Sequence, residues 1–378
     1  MDVQTSPLPA PAPSELFYGP SPKKGGSCVD DNACLAGVIE RLIETAPSFE
    51  ALRTHRLHLA AARLWRSRGQ VVPADFVSDE RAAAVRGMLA RRILGKVRSA
   101  YGGDLMLLKG PEVAAHYPVP SDRAYRDLDL LVDDPAAAHR ALLGAGFVQV
   151  ADPARFGSYH HHLTPLMWPG APLLVEVHRR PSRPEWLEPV PGESVFRVAV
   201  PSATGLPGLL SPEPAAHAVL VVAHAWKHDP LGNLGQLLDA AVLLASADRR
   251  RADAVARAWG WERMWHATLG VMDSVLADKR RGLASRVWAR HLRDVRERVV
   301  LENHISRLAA PIWSLPATDV PQAIAEALRD TAAREPDENW TTKLRRSRLA
   351  ITHAFASRSS HEQSLTSIGA TGRRGEGT

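Results

Sequence analysis

Apolar residues recur at three- and four-residue spacing from residue 32 to about 68: Leu35, Val38, Ile39, Leu42 and Ile43, then, beyond Pro47, Leu52, Leu59, Leu64 and Trp65. That spacing puts them on one face of a 3.6-residue period and predicts amphipathic helices. A further helix is predicted over 78–101, with Ser78 as N-cap, Asp79 and Glu80 in the first turn, and Gly102-Gly103 as the stop. The texture changes at Asp104. LMLLKG reads as a short strand ending in glycine and PEVAAHYP as a brief helix opened by proline. DLDLLV then alternates acid with aliphatic, DPAAAHRALLGAG reads as a helix closed by Gly146, and FVQVAD and PLLVEVHRR look like further strands. This β-α-β-α-β-β succession over 104–180 predicts an α/β sheet module. After Leu210 helical periods return, through AHAVLVVAHAWKH, LGQLLDAAVLLASA, a stretch over 250–276 and an Arg-rich helix over 284–308.

The two ends carry no such pattern. The first thirty residues, with PLPAPAPS and PSPKKGGS, hold proline and glycine too densely for helix or strand and read as a flexible arm. From Ser357 the chain is polar and Gly-rich and cannot bury enough surface to offset its ordering entropy.

Composition narrows the class. The chain has 378 residues, 45% of them hydrophobic, and a net charge of +6, so it can bury a core and is not disordered throughout. No apolar run is long enough to span a bilayer and the start has neither a basic nor an apolar leader segment, so a cytoplasmic protein is expected, with no membrane partner. Two cysteines, Cys28 and Cys34, exclude a disulfide framework and a CxxC metal pair. The basic surplus is Arg scattered through an Ala/Arg-rich sequence, which allows a nucleic-acid partner without favouring one.

The candidate chemistry lies in KGPEVAAHYPVPSDRAYRDLDLLV, residues 109–132, and in VEVH, residues 175–178. In a strand, Asp127 and Asp129 project to one side and Leu128 and Leu130 to the other. Two carboxylates held that close repel unless a cation lies between them, and a hard oxygen pair suits Mg²⁺. Glu176, flanked by Val175 and Val177, needs a partner in an apolar strand. If its strand pairs beside Asp127-Leu128-Asp129, a three-carboxylate site results. The same residues also admit a plainer reading: a DxD can be a solvated strand face, Glu176 can pair with Arg179 or Arg180, and His178 can be a satisfied core histidine.

The order strand, Lys-Gly, helix, YPVPSDR, RDLDLLV and a distal VEVH resembles the nucleotidyltransferase-fold proteins of the DNA polymerase β superfamily. More narrowly, it resembles an uncharacterised bacterial nucleotidyltransferase-like family with an LKG…YP…R…DLDLLV signature. The resemblance implies an α+β fold: a small mixed-sheet core over 104–205, flanked by helical regions over 31–103 and 206–356, with an arm (1–30) and a tail (357–378). It implies that Asp127 and Asp129 hold Mg²⁺ (or Mn²⁺) bridging the phosphates of an NTP co-substrate, ATP being the first choice. Glu176 would complete the metal site and help deprotonate the acceptor hydroxyl, so that these three acids are the implied catalytic set.

The superfamily has Gly-Ser where this chain has Lys109-Gly110. Gly110 still permits close backbone approach to an anion, and Lys109 adds a positive charge in place of the hydroxyl, unless it is an ordinary strand-end lysine. Arg123 and Arg126 either meet phosphate oxygens or neutralise Asp127, Asp129, Asp133 and Asp134. His224, Lys227 and His228 share a helix face and, with Asp239 on the next helix and His178, either line the acceptor side of the cleft or merely join helices. His160-His161-His162 cannot all share one strand face, which disfavours a zinc site and fits a loop or edge strand near the cleft. The expected activity is transfer of a nucleoside monophosphate from an NTP to a hydroxyl of a small-molecule, peptide or protein acceptor. The alternatives are transfer to an RNA end, or a non-catalytic nucleotide-binding adaptor.

Overall fold

The computed structural model describes residues 32–150, 161–279 and 282–332, with a few isolated positions beyond. The predicted arm and tail, and His160, lie outside these residues. Four helices come first: α1 (Asn32–Thr45), α2 (Phe49–Thr54), α3 (His58–Ser67) and α4 (Ala74–Ala100). The sheet module follows, with β1 (Leu105–Leu107), α5 (Pro111–Ala114), a 3₁₀ turn at Pro120–Asp122, β2 (Asp127–Val132), α6 (Pro135–Gly144), β3 (Val148–Gln149), β4 (Leu166–Met167), β5 (Leu174–His178), α7 (Gly192–Phe196), β6 (Ala199–Pro201) and β7 (Leu210–Pro212). Helices complete the chain: α8 (Pro214–His228), α9 (Leu234–Leu244), α10 (Arg249–Ala258), α11 (Glu262–Leu276), α12 (Leu283–Arg293), α13 (Val300–Ser314) and α14 (Val320–Ala332). The fold is α+β.

The strands form one mixed sheet in the order β3-β4-β5-β2-β1-β7-β6. β1 runs antiparallel to β2 and parallel to β7, and β2 runs parallel to β5. Strand alternation sends the two sets of side chains into different cores. Leu105, Leu107, Leu128, Leu130, Val132, Val175 and Val177 pack with Ile93, Leu94 and Val97 of α4 and Ala138 and Leu142 of α6. Met106 and Leu131, on the other face, join a larger core built from α1–α3 and from α8, α9, α11 and α12. Asp127 and Asp129 alternate with Leu128 and Leu130, so the acids share the face covered by α8.

Several boundaries differ from the sequence reading. Helix α4 begins at Ala74 behind Pro73, so Ser78 is not its cap. Asp79 and Glu80 instead bind Arg53 (2.7 Å) and Arg66 (2.9 Å), tying α4 to α2 and α3. The stretch 250–276 is two helices, because Gly260 takes φ +72° and Trp261 N–H donates back to the Ala256 carbonyl at 2.8 Å, closing α10. The Arg-rich helix over 284–308 is likewise divided at 294–299, where buried Arg298 leaves the helix direction to reach Asp229 at 2.7 Å and the Leu231 carbonyl at 2.6 Å. The hairpin β6–β7 carries the sheet past residue 205, the predicted edge of the core. Cys34 is disulfide-bonded, so the cysteine count excludes a network of bridges but not a single one. Among the described residues no helix is long and apolar enough to cross a membrane.

Candidate functional site

The parallel pairing of β2 with β5 sets Asp129 opposite Glu176 and Leu131 opposite His178, so Asp127, Asp129, Glu176 and His178 occupy one face of two adjacent strands. Asp129 is 1% exposed. Its Oδ1 lies 2.9 Å from Lys109 Nζ in an ion pair and accepts from His178 Nε2 at 3.0 Å, while its Oδ2 is buried without a hydrogen-bond partner. Glu176 Oε2 lies 3.5 Å from His178 Nε2 and 3.9 Å from His162 Nε2. No described ion pair joins Glu176 to Arg179 or Arg180, the alternative that the sequence left open.

Charge is unevenly satisfied here. Burial by itself would raise the Asp129 carboxyl, but the Lys109 ammonium and the hydrogen bond from His178 hold it well below the ordinary carboxylate range. Burial would lower His178, and the Asp129 and Glu176 carboxylates outweigh it, so its pKa is raised. Asp127 has no comparable partner: burial and the neighbouring Asp129 push its pKa up to about 6. Asp129, Glu176 and His178 each offer a ligand atom, and these atoms lie within 4.8 Å of one another. An orphaned buried carboxylate oxygen, a raised Asp127 and a nearby Glu176 together form an oxygen-rich set that fits a hard divalent cation, and the imidazole extends the fit to Mn²⁺. The triad differs from the sequence expectation in one member, since His178 stands with Asp129 and Glu176 where Asp127 was expected.

A basic lobe faces the acids. His217, one turn into α8, binds the carbonyl of Leu108 at the end of β1, and two turns later His224 Nε2 lies 3.0 Å from Lys109 Nζ. Lys227, on the same helix, reaches His161 Nδ1 at 2.8 Å. His162 pairs with His178 in an isolated antiparallel bridge, and the His161 ring stands 5.5 Å from that of His178. His161 and His162 therefore border the acid cluster, as a loop near the cleft would. Burial and the Lys109 charge hold His224 well below the ordinary imidazole value, and burial also lowers Lys227.

Gly110 follows Lys109 with φ +65°, and a Cβ there would meet the Asp127 carbonyl at 2.9 Å, so only glycine lets the chain turn so close to β2. Arg123 Nη1 donates to the Gly110 carbonyl at 3.0 Å, while Nε and Nη2 grip both oxygens of Asp239 at 2.7 and 2.8 Å. Tyr117 also donates to Asp239, at 2.7 Å. Arg123 is thus bound to a helical acid and a loop carbonyl instead of the acids of β2, and Asp239 lies within that network instead of facing an acceptor. The exposed Arg126 side chain, one residue before Asp127, has no such partner.

No curated protein and no solved structure matches the chain. Residues 47–277, more than half its length, match the family described as "Uncharacterised nucleotidyltransferase". That span takes in α3, α4, the whole acid-bearing sheet and α8–α11, so the chain belongs to the uncharacterised nucleotidyltransferase family.

Proposed function

We propose that the protein is a divalent-metal-dependent nucleotidyltransferase that moves a nucleoside monophosphate from an NTP, ATP being the first choice, to an acceptor hydroxyl. The observation that carries this reading is Asp129: a buried carboxylate with one oxygen unpartnered, set across from Glu176 in a chain of this family. Asp127, Asp129 and Glu176 would hold Mg²⁺ or Mn²⁺, with His178 beside them. When bound, such an ion neutralises charge on the phosphates and steadies the leaving pyrophosphate.

The chain's own residues do the rest. Lys109 and Lys227 supply positive charge for the triphosphate, and Arg126, exposed just before Asp127, would be a further cation for it. Gly110 lets the backbone approach the phosphates closely. Arg123 acts on the site through the Gly110 carbonyl, as a positioning residue. Glu176 accepts the proton as the acceptor oxygen bonds to the α-phosphorus and the bond to pyrophosphate breaks. His224 keeps Lys109 beside Asp129.

Two other readings are less well supported. Transfer to an RNA end would use basic C-terminal helices, but Arg249, Arg251, Arg257 and Arg296 are paired with Asp273, Glu213, Glu262 and Glu302. A non-catalytic adaptor would fit Glu176 locked to a neighbouring arginine, whereas its contacts are His178 and His162.

Calorimetry of each NTP with and without Mg²⁺, on the wild type and on Asp129→Ala, tests the proposal. Metal-dependent binding that the variant loses supports it. Absence of binding by any NTP sinks the transferase reading in favour of an adaptor.

A further inference from the structure

A cavity of about 640 Å³ opens between α4 and the turn that precedes β2, and none of Asp127, Asp129, Glu176 and Asp239 lines it. Its volume falls in the range of sites that enclose a small organic molecule. Leu59, Ala84, Gly87, Leu94, Leu206 and the Tyr125 ring make its walls chiefly apolar. Four arginines and two acids also border it. Three of the arginines are matched: Arg63 binds both oxygens of Asp122, Arg66 binds Glu80 and Arg123 binds Asp239. Arg91 is the lining cation without a carboxylate, donating to the Thr204 carbonyl at 3.2 Å. The wall therefore has an apolar bed and one uncompensated positive charge at its rim.

We propose that this cavity is a binding site for a small amphiphilic anion, a molecule with an aromatic or aliphatic body and a single acidic group. The body lies against Gly87, Leu94 and Tyr125, where burial of apolar surface drives binding. The acidic group meets Arg91, whose guanidinium can hold it with two parallel hydrogen bonds. Pro111 and Arg123 belong to both this cavity and the Lys109-Gly110 turn, so the site adjoins the candidate active site across one loop. The inference does not depend on the proposed transfer reaction.

Two fluorescent probes of nearly the same shape separate the two elements: 8-anilinonaphthalene-1-sulfonate, which carries one negative charge, and neutral N-phenyl-1-naphthylamine. A side chain at Gly87 would project into the cavity, because a Cβ there meets only the Tyr125 hydroxyl, at 3.8 Å. Gly87→Leu is expected to fold, since leucine favours a helix interior more than glycine does, and Ala83→Leu serves as a second filling variant. The expected result is saturable binding of both probes to the wild type and loss of both in the filling variants. In Arg91→Met the sulfonate should bind about tenfold or more weakly while the neutral probe is unchanged. Failure of either probe to bind the wild type, or unchanged binding in both filling variants, overturns the site. An Arg91→Met variant that affects the two probes alike overturns the anionic ligand.

Discussion

Arg123 and Asp239, 116 residues apart, face each other as two parallel hydrogen bonds deep in the protein, and the same guanidinium holds the Gly110 carbonyl. The pair joins the turn behind the acids of β2 to helix α9, so it couples the shape of the candidate site to the helical half of the fold. Removing one partner leaves a buried, uncompensated charge. Arg123→Met and Asp239→Leu are each expected to lower stability by about 3–5 kcal/mol, and the double variant to recover much of that loss. Urea unfolding of the four proteins checks it; strictly additive losses would contradict the coupling.

Glu176 is half-buried beside Asp129, and its replacement by glutamine keeps the shape while removing the charge. Glu176→Gln should weaken Mn²⁺ binding about tenfold or more, by the loss of a carboxylate ligand. Its melting temperature should stay close to that of the wild type. Paramagnetic titration of free Mn²⁺ reads the affinity, and an unchanged value would remove Glu176 from the metal site.

At Gly110 the backbone has φ +65°, and a methyl group would press on the Asp127 carbonyl. Gly110→Ala is expected to cost about 1–3 kcal/mol of stability, from strain in a region that side chains disfavour. If the turn shifts to relieve the contact, the start of β2 shifts with it, so NTP affinity should fall as well. A variant with wild-type unfolding and wild-type NTP binding would refute both parts.

Three histidines outside the acid cluster are buried as neutral rings. Burial lowers His55 and His217 to about 4, and His291 to about 2. In the unfolded chain each titrates near the ordinary imidazole value of about 6.5. Above that pH neither state is protonated at these rings, and they add no pH dependence. Below it the unfolded chain takes up protons that the folded protein refuses until about pH 4, so stability falls as pH drops through that window. Each ring contributes up to ~1.4 kcal/mol per pH unit. Melting curves between pH 7 and 4.5 should shift steadily downward, and His217→Gln should flatten the slope; a level profile would exclude buried neutral histidines.

The acids of β2 were legible because strand alternation alone puts Asp127 and Asp129 on one face. Pairing of Glu176 with Asp129 was legible only as a condition, since parallel register is set by long-range packing and leaves no mark at either strand. His178 followed from the same register: two residues beyond Glu176, it shares that face, yet from sequence it read as a substrate contact or a core histidine. Arg123 showed the opposite difficulty. Its place in the signature is visible, but its partner lies on a helix more than a hundred residues away, and no local pattern announces that a buried Asp239 will claim two of its three nitrogens. Helix boundaries failed where tertiary contacts override local propensity, as at Asp79 and Glu80, which read as first-turn acids and serve as partners of Arg53 and Arg66.

The larger apolar core binds the first helices to the last ones across the acid-bearing face. Leu35, Ile39 and Leu52 share it with Trp226, Trp265 and Trp288, and Arg41 donates to the Leu276 carbonyl, 235 residues later, at 3.0 Å. During synthesis the N-terminal helices therefore leave the ribosome long before the surfaces that cover them exist, and must wait with their apolar faces unfilled. Helix α8, which seats His224 and Lys227 over the carboxylates, is wedged within that same late-forming core. An interrupted translation product would hold every acid of the candidate site and still lack its roof, so the site would take shape only once the helices that follow the sheet have emerged and packed.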